Sequence, residues 1–391
     1  MKVSLVIADL NIRGGTHKQL IRLAEYLCSR GCDVSVHTFA FDLSRCYPEI
    51  VRFDVKHVHR KSDKCLLTGL FRSIVSSYRL VMGMPTDVDI INVHDLNCYS
   101  VLLLAKLLRR NAKLVWQIND LPYAYRVGPN KNIPPSWRHP IWRTAVWILA
   151  HLCDAVTVNA QKNKAAVAHL IGVDPELYYC GVDQISTSFL RRDLPTTTAT
   201  PLRLLSIGVF LPYRNYEVIL SAMDSLRSRG IRTNLTIVGA TDRAPEYSSK
   251  IAAIAAEKSL DVTITGEIDE QQFQRVCAES HVFLFVNIDQ SWGLAIFEAM
   301  NMSLPVIVSS SVGAVELLDG NTGVRVVDAK SPQAVAEAIE GVCGNPTAYS
   351  EMARAAFGYS RTLSWDKMYC PKVLALFHQL LATRCPTRAS E

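Results

Sequence analysis

The chain lacks the cysteine patterns of secreted or metal-stapled domains. Its 391 residues include 11 cysteines, but no two of them form a CxxC pair. An odd number of scattered cysteines excludes a simple disulfide framework and favours reduced thiols, as in a cytoplasmic protein. We therefore expect most of these cysteines to serve as small buried apolar side chains.

Long apolar runs are also missing. The nearest candidate, residues 145–152, has less than about half the length needed to cross a bilayer. The opening residues, MKVSLVIADL, have the pattern of a strand and not that of a signal peptide. These absences predict a cytoplasmic protein without a spanning helix, for which membrane contact means peripheral attachment at the inner face.

Charge is scarce but unevenly placed. Charged residues make up 20% of the chain and hydrophobic ones 49%, which excludes global disorder. Residues 1–195 hold 25 Lys and Arg against 16 Asp and Glu, although the whole chain has a net charge of only +6. A basic half indicates an anionic partner. Without a nucleic-acid recognition motif we expect no nucleic acid, and an anionic membrane surface is the better fit, with an ordinary solvated face as the alternative.

Short apolar runs alternate with helical patterns through the first half. Such alternation implies a parallel sheet covered on both faces by helices. The predicted strands span 3–9, 33–39, 51–58, 89–95, 112–120 and 155–160, and the predicted helices span 16–31 and 100–110.

The same pattern restarts after residues 184–200, a Thr-rich segment with the composition of a linker. Further strands are predicted at 202–208, 234–240, 261–267, 282–287 and 305–311, with helices at 215–230 and at 362–382, the latter interrupted near Pro371. The fold class is therefore α/β, with two Rossmann-like domains facing a central cleft. We place them at 1–185 and 186–360, followed by a C-terminal helical segment, 361–391.

A glycine pair, Gly14-Gly15, follows the first strand and opens the first helix. Glycines let a ligand approach the backbone, and a helix N-terminus attracts anions. The alternative is a plain tight turn between strand and helix. The pair is not part of a GxGxxG motif, so dinucleotide oxidoreduction has little support.

The first strand of the second half ends in SIGVFLPYRNYE, residues 206–217. Gly208 ends the strand, and Arg214 and Asn215 directly precede a helix. We expect all three to contact the ligand that this unit binds. An arginine in such a loop can bind phosphate through its forked guanidinium. The alternative is an ordinary surface charge.

The stretch DQSWGLAIFE, residues 289–298, carries the strongest signal. Trp292 and Gly293 stand where a helix begins, and backbone amides from Gly293 and Leu294 can hold a phosphate. Glu298 falls in an apolar run, where a carboxylate needs hydrogen-bond donors. Ribose hydroxyls would supply them, and pairing with a structural base is the alternative.

Taken in order, these motifs resemble the family 4 glycosyltransferases with the GT-B fold over nearly the whole chain. The matching landmarks are the Gly-Gly loop, INVHD, CGVD, SIGVFLPYRN, LTIVGA, TITGEI, SWGLAIFEAMNMSLPVIVSSSVG and LSWDK. The resemblance implies a second domain that binds a nucleotide-diphosphate sugar, a first domain that binds the acceptor, and a last helix that crosses back to the first domain. It also implies retention of anomeric configuration and no metal cofactor.

The resemblance assigns roles to individual residues. Glu298 matches the second Glu of the family's Glu-seven residues-Glu motif, which holds the ribose. Gly293-Leu294 match the backbone that meets the diphosphate, and Arg214 matches the second base of the phosphate-binding pair. Gly14-Gly15 match the loop near the diphosphate and the acceptor.

Three positions depart from the family pattern. Gln290 replaces the first Glu, which touches the donor sugar, and Val209 replaces the first base of the phosphate-binding pair. Asn119 stands where a His often lies near the transferred sugar. These changes motivate an alternative, a catalytically degenerate GT-B binding or partner subunit. An epimerase ranks lower because no obvious pair of carboxylate bases is present.

The remaining candidates belong to the first half. We assign His94 to acceptor positioning or proton abstraction, with a structural histidine as the alternative, and we place Asn119 and Asp120 on the acceptor side. The DVD sequence at 87–89 resembles a metal-binding motif of another glycosyltransferase fold, but we expect it to start a strand.

One further segment indicates the acceptor's surroundings. Residues 134–152 combine Trp137, Trp142 and Trp147 with arginines, which suits a membrane interface, and a helix packed on the sheet is the alternative. The basic run HRKSDK at 59–64 would assist such contact. The predicted partners are thus a nucleotide-sugar donor, a glycan or lipid-linked acceptor and an anionic membrane surface.

Overall fold

The computed structural model describes residues 1–59, 66–94, 98–121, 138–195 and 200–383. Asp95, Trp137 and nearly all of the basic run at 59–64 lie outside them. The chain divides into two compact units. The first unit comprises Met1–Gly181 and Trp365–Glu391, and the second comprises Val182–Ser364. The predicted boundaries, after residues 185 and 360, each differ from these divisions by four residues.

The first unit is built on a seven-stranded sheet in the order β3-β2-β1-β4-β5-β6-β7, with every pair of neighbours parallel. The middle strand, β1, pairs Leu5 with Val36 of β2 on one side and with Asn92 of β4 on the other. The strands are β1 (Lys2–Val6), β2 (Asp33–Thr38), β3 (Asp54–His57), β4 (Ile90–Val93), β5 (Lys113–Ile118), β6 (Ala155–Val158) and β7 (Glu176–Leu177).

The inner strands of this sheet are almost fully buried, which explains their continuous apolar runs. Five helices accompany them. They are α1 (Gly15–Ser29), α2 (Leu66–Met82), α3 (Tyr99–Leu108), α4 (Arg138–Leu152) and α5 (Gln161–Ile171). Helix α2 packs against α3, and α3 packs against α4. These three helices therefore lie side by side.

The sequence pattern does not predict α2, and the physical reason is its composition. The face that α2 turns inward carries Ser73, Ser76 and Ser77, all less than a tenth exposed. The Ser77 hydroxyl lies 2.7 Å from that of Ser100 at the start of α3. The apolar period of this helix lies instead on its exposed side, at Phe71, Ile74, Tyr78 and Met82.

The second unit has a six-stranded sheet in the order β10-β9-β8-β11-β12-β13, again parallel throughout. Its strands are β8 (Leu202–Ile207), β9 (Thr233–Val238), β10 (Asp261–Gly266), β11 (Val282–Phe285), β12 (Val306–Ser309) and β13 (Val324–Val327). Its helices are α6 (Tyr216–Ser228), α7 (Pro245–Glu257), α8 (Glu270–Glu279), α9 (Leu294–Asn301), α10 (Pro332–Cys343) and α11 (Pro346–Ser360).

The described part of the predicted linker, up to residue 195, is not loose. It has no helix or strand, but the Arg192 guanidinium donates to the backbone oxygens of Met302 and Ser303, at 2.6 and 2.8 Å, and of Cys277 at 3.0 Å. The Ser186 amide also donates to the side chain of Asn301. These contacts attach the described part of the predicted linker to the second unit.

The C-terminal helical segment is divided in two, α12 (Trp365–Met368) and α13 (Cys370–Ala382). Pro371 lies in the first turn of α13, where its missing N–H costs nothing, and so the predicted interruption is a helix start. The Tyr369 hydroxyl donates to Gln117 Oε1 of β5 at 3.2 Å. The segment thus belongs to the core of the first unit.

The described residues bear on two features, membrane-spanning helices and disulfide bonds. Among them, no helix is both long and apolar enough to cross a membrane. None of the nine cysteines in the described ranges forms a disulfide, and burial raises the pKa of the Cys180 thiol to about 12.

Candidate functional site

In the second unit, two glycines make room for the side chain of Arg214. A side chain on Gly208, just after β8, would put its Cβ 2.3 Å from the Arg214 guanidinium carbon. A Cβ on Gly239, after β9, would lie 2.1 Å from the Gly208 carbonyl oxygen. A larger residue at Gly208 or Gly239 would clash at these distances. The two glycines therefore leave the space that the Arg214 guanidinium occupies.

Arg214 is only 9% exposed, which is unusual for an arginine. Its Nε donates to the Val209 carbonyl oxygen at 3.3 Å, and Nη1 donates to Gln290 Oε1 at 3.2 Å. The guanidinium also lies over the rings of Tyr213 and Phe285, at 5.1 and 5.6 Å from their centroids. Within the described ranges, all of its partners are neutral, and no carboxylate forms an ion pair with it.

Gln290 is oriented by two donors. Its Oε1 accepts hydrogen bonds from Arg214 and from Nδ2 of Asn287, a residue with 1% exposure. The carbonyl oxygen of Asn287 in turn accepts from the hydroxyl of Ser311 at 2.9 Å. Oε1 is thus engaged on the protein side, whereas the Nε2 hydrogens of Gln290 have no hydrogen-bond partner among the described residues. They are the donors that Gln290 can offer to a ligand.

The N-terminus of α9 adjoins the same cluster. Gly293 is its N-cap residue, and a Cβ there would lie 3.0 Å from the Phe285 ring, the ring that Arg214 also contacts. The first two amides of α9, from Leu294 and Ala295, have no acceptor within the helix because its hydrogen bonds start later, with Ile296 donating to Gly293. The structure therefore brings a buried cation and a helix N-terminus to the same phenyl ring.

Glu298 lies on the second turn of α9 and is partly exposed, whereas its neighbours Phe297 and Ala299 are fully buried. This placement agrees with a carboxylate that faces a ligand, although its role stays a prediction. Trp292 is different. It is 5% exposed and stacks on Phe297 at 5.6 Å, so its ring belongs to the core.

Asn215 corrects one expectation. It was expected to contact the donor, but its Nδ2 donates to the carbonyl oxygens of Ala329 at 2.6 Å and Val286 at 3.1 Å. Its backbone has φ of 59°, the left-handed conformation that asparagine tolerates better than most residues. The side chain therefore fixes the loop between Arg214 and α6, and both amide hydrogens are used inside the protein.

The first unit holds a second cluster at the carboxyl ends of β1, β4 and β5. Gly14 is the N-cap residue of α1 and Gly15 its first residue. His17, on the first turn, lies with Nε2 2.7 Å from the Asp9 carbonyl oxygen. A Cβ on Gly14 would approach His17 Nδ1 to 3.2 Å, a contact that a small shift relieves.

His94 is buried at 1% exposure directly after β4. Its Nε2 is hydrogen-bonded to Asn92 Oδ1, which places the ring proton on that nitrogen. Burial, assisted by the nearby His17, lowers the pKa of His94 from 6.5 to about 3. A neutral imidazole of this kind is a weak proton acceptor near pH 7, so the geometry favours positioning over proton abstraction.

Asn119 is the centre of a buried amide network. Its Nδ2 donates to Gln19 Oε1 at 2.7 Å and to Thr16 Oγ1 at 3.1 Å, and its Oδ1 accepts from Gln117 Nε2 at 3.0 Å. Asn163 also donates to the Asn119 carbonyl oxygen at 2.7 Å. The side chain at this family histidine position is thus held by three neighbours.

The remaining acidic candidates of the first unit lie outside this network. Asp120 is exposed, one residue beyond the network. In the DVD sequence, Asp87 forms an ion pair with Lys2, and Asp89 accepts from the Lys2 amide at 2.7 Å as the chain enters β4. This pairing agrees with the expected start of a strand.

Sequence reasoning missed Asn287 and Gly239. Asn287 supports Gln290, three residues along the chain, from the end of the predicted strand 282–287. Gly239 approaches Gly208 across neighbouring strands, a contact that no linear motif displays. Thr16 and Gln19 were missed for the same reason. They follow Gly15 on α1, but their partner Asn119 is about a hundred residues away.

Comparison with known families matches both units. A family model described as Glycosyltransferase Family 4 matches residues 13–184, and one described as Glycosyl transferases group 1 matches residues 201–345. The solved structure of sucrose-phosphate synthase from Thermosynechococcus elongatus shares the fold, with a TM-score of 0.79 and 17% identity over 98% of this chain and all of that one. Anabaena HepE in complex with UDP and glucose gives a TM-score of 0.74 at 16% identity, with 98% and 100% covered.

The chain therefore belongs to the family 4-like glycosyltransferases with the GT-B fold. Among curated relatives it is similar to a D-inositol 3-phosphate glycosyltransferase of Nocardioides sp., at 24% identity over 54% of this chain and 51% of the relative. It is also similar to a human alpha-1,3/1,6-mannosyltransferase, at 23% identity over 89% and 88%. The chain spans about half the length of the bacterial D-inositol 3-phosphate glycosyltransferases that it matches.

Proposed function

We propose that this protein transfers a sugar from a nucleotide-diphosphate donor, GDP-mannose or a UDP-sugar, to a hydroxyl of a glycan or lipid-linked acceptor. The observation that carries the proposal is the buried guanidinium of Arg214, whose partners in the described chain are all neutral. A buried charge without a counterion is costly. The diphosphate of the donor would be the missing anion.

The chemistry follows from charge development. As the bond between sugar and phosphate breaks, negative charge grows on the β-phosphate, and a fixed cation stabilises it more in the transition state than in the ground state. Arg214 and the amides of Gly293-Leu294 would act together in this role, aided by the dipole of α9. Removal of one such donor costs on the order of 10²-fold in rate.

Two of the departures shape the donor site. An apolar Val209 cannot bind phosphate, which leaves Arg214 as the base from this loop. Gln290 accepts from Arg214 without neutralising its charge, because an amide carries none. We infer that Gln290 uses its Nε2 hydrogens to bind a hydroxyl of the donor sugar, and that Glu298 binds the ribose hydroxyls.

We propose retention of configuration by attack on the same face from which the nucleotide departs. The leaving phosphate would take the proton of the acceptor hydroxyl. The low pKa of His94, about 3, supports this route because the imidazole competes poorly for that proton. His94, Asn119 and Asp120 would then position the acceptor, with Gly14-Gly15 at the loop beside it.

Nucleotide binding tests the site. Titration calorimetry with UDP and GDP should show binding of one of them to the wild-type protein, and Arg214→Ala and Glu298→Ala should each weaken it at least tenfold. Arg325→Ala, an exposed arginine of β13, is the matched control and should leave affinity unchanged. Unchanged affinity in both site variants would overturn the assignment.

A degenerate binding or partner subunit is the second candidate, favoured by Gln290 and Val209. A panel of nucleotide sugars separates the two. Release of free nucleotide that rises when acceptor glycans or lipid-linked sugars are added supports transfer. Binding of nucleotide without any release over the whole panel would favour the degenerate subunit.

We also propose that no metal takes part in the reaction, as the family resemblance implies. Nucleotide release should then be unchanged after treatment with EDTA. A loss that Mg²⁺ or Mn²⁺ restores would contradict this. Contact of the first unit with the inner face of an anionic membrane is a separate proposal, with its own structural basis.

A further inference from the structure

Over residues 71–79, helix α2 is amphipathic in the reverse of the usual sense. It buries the serines described above, followed by Leu80 and Val81, and exposes large apolar side chains at intervals of three and four residues. These are Phe71, Ile74, Tyr78 and Met82, whose exposed fractions lie between 43% and 68%. A helix that exposes its apolar stripe needs another apolar surface to cover that stripe.

The neighbouring helices extend this stripe. Fifteen large apolar side chains are exposed in the described part of the chain, and eleven of them lie on α2, α3 and α4. Since α2 packs on α3 and α3 on α4, their outward sides adjoin. Besides the four on α2, the eleven are Leu103, Leu107, Leu108, Ile141, Trp142, Trp147 and Ile148, and we call the whole set the apolar face.

The charge of these helices has one sign. The sequences of α2, α3 and α4 contain no Asp or Glu at all. Lys106 pairs with Asp154, outside the three helices, at 3.1 Å. The basic residues of the three helices are Arg72, Arg79, Lys106, Arg138 and Arg143.

We propose that the apolar face docks on the surface of an anionic phospholipid bilayer. Apolar side chains would enter the boundary between headgroups and acyl chains, and the arginines beside them would meet lipid phosphates. Trp142, Trp147 and Tyr78 are the residue types that prefer this boundary. A lipid-linked acceptor would fit this placement, but docking itself does not depend on the proposed transfer reaction.

Charge selects the bilayer over a second copy of the chain. A symmetric dimer through the apolar face would bring two sets of basic helices together without a carboxylate from these helices to pair with them. An anionic bilayer offers complementary charge together with an apolar interior. The occupant is therefore a lipid surface.

Vesicle sedimentation is the primary test. The full-length protein should bind vesicles of phosphatidylcholine with about 30% phosphatidylglycerol at least tenfold more tightly than vesicles of phosphatidylcholine alone, because each basic residue near an anionic surface contributes on the order of a fivefold factor. Raising the salt to roughly 0.5 M should reduce this difference by screening. Equal binding to both vesicle types, or to neither, would overturn the proposal.

Three variants locate the contact. Phe71→Ser and Trp147→Ser should each weaken vesicle binding roughly tenfold, since each removes a large apolar side chain from the bilayer. Arg79→Glu should weaken binding to anionic vesicles alone. The matched control is Val326→Ser, which changes an apolar residue of the second unit with 47% exposure and should have no effect. Thermal melting of each variant verifies its fold.

Tryptophan fluorescence gives a second readout. Trp142 and Trp147 are 39% and 49% exposed, whereas Trp116, Trp292 and Trp365 are 5% exposed or less. In a Trp137→Phe background, anionic vesicles should shift the emission to shorter wavelength. The shift should vanish when Trp142 and Trp147 are also replaced by phenylalanine, and a shift that persists would place the contact elsewhere.

Size-exclusion chromatography tests the competing occupant. A dimer that forms without lipid, and that Phe71→Ser dissociates, would assign the face to a second copy and overturn lipid docking. Nucleotide titration on the same samples keeps the proposals apart. Vesicle binding without nucleotide binding would preserve this proposal while contradicting the proposed donor site.

Discussion

The two units share a parallel sheet with covering helices, yet they differ in where their polar groups lie. The first unit buries a polar network around Asn119, with His37 and His94 also enclosed, and it exposes fourteen of the fifteen large apolar side chains found on the surface of the described chain. Among the described residues of the second unit, Val326 is the only exposed large apolar side chain. Across the full sequence, the first unit holds 27 Lys and Arg against 16 Asp and Glu, and the second holds 15 against 20.

This contrast indicates that one architecture can serve two purposes. In the second unit, glycines after neighbouring strands remove side-chain volume so that a single cation is held at a helix N-terminus. In the first unit, apolar residues that would usually fill a core lie outside, and hydroxyl and amide groups take their place. Folds of this kind require burial of the strands, but they leave the outer faces of the helices to be chosen by function.

The largest expected difference between the two units is in their stability at acid pH. Burial is the main cause that lowers the pKa from 6.5 to about 4 in His37, to about 3 in His94 and, with nearby arginines, to about 4 in His281. Each histidine is neutral in the folded state at pH 7 and binds a proton more readily once the chain unfolds. The free energy of unfolding therefore keeps its full value above pH 6.5 and falls as the pH drops toward 4. The loss is about 3 kcal/mol at pH 4 for each of His37 and His94.

Because the first unit holds two of these histidines and the second unit one, the first should open at higher pH. Hydrogen exchange of each unit at pH 7 and pH 4.5, corrected for intrinsic rates, measures this. His94→Asn should reduce the acid sensitivity of the first unit alone. Equal loss of protection in both units would contradict the prediction.

The glycine loops after the first strand of each unit should respond unequally to alanine. Gly208→Ala would force the Arg214 guanidinium away, and we expect nucleotide affinity to fall about 100-fold, with a loss of about 1–3 kcal/mol in stability. Gly14→Ala meets only the edge of His17, at 3.2 Å, on a backbone with φ of −112° that alanine adopts. Calorimetry and thermal melting compare the two variants, and equal effects would mean that the close approach at Gly208 is unimportant.

The substitution Gln290→Glu tests the charge balance around Arg214 in the second unit. A carboxylate would form an ion pair with Arg214 and compensate the charge that we reserve for the diphosphate. We expect nucleotide affinity to fall by roughly three- to tenfold. The control, Gln333→Glu, lies on α10 in an exposed pair with Glu337. Higher activity in Gln290→Glu would show instead that the amide is a handicap.

The smallest predicted effect concerns the C-terminal helices. Tyr369→Phe removes the hydroxyl that donates to Gln117 and should cost the first unit about 1 kcal/mol. Gln117 Oε1 still accepts from Thr157 at 2.7 Å, so the loss stays small. Tyr78→Phe, at an exposed tyrosine, is the control for denaturant unfolding. No change in the first unit for Tyr369→Phe would show that this bond adds nothing to stability.

Strands and their order follow well from the sequence because parallel strands are continuous apolar runs. The predicted strand at 282–287 and the helix at 16–31 correspond to β11 and α1, with ends that differ by a few residues. Helix α2 has a helical apolar period, but that period lies on its exposed side and its buried side carries serines. Strand β7 escapes because two residues carry no pattern, and β13 differs from the buried inner strands in that its two middle residues are exposed.

The candidate site was predictable only where its residues are close in sequence. Gln290, Gly293 and Glu298 stand in one motif, and the sequence places them at one helix start. The close approach of Gly208 and Gly239 arises from neighbouring strands of the sheet. That contact depends on strand order, which local patterns do not contain.

The network around Asn119 also limits how this position can change. Two donors and one acceptor of its side chain are matched to Thr16, Gln19 and Gln117. A single mutation to the histidine common in the family would leave at least one buried amide without its partner. Replacement of Asn119 by histidine should therefore lower stability unless Gln19 or Gln117 is changed as well.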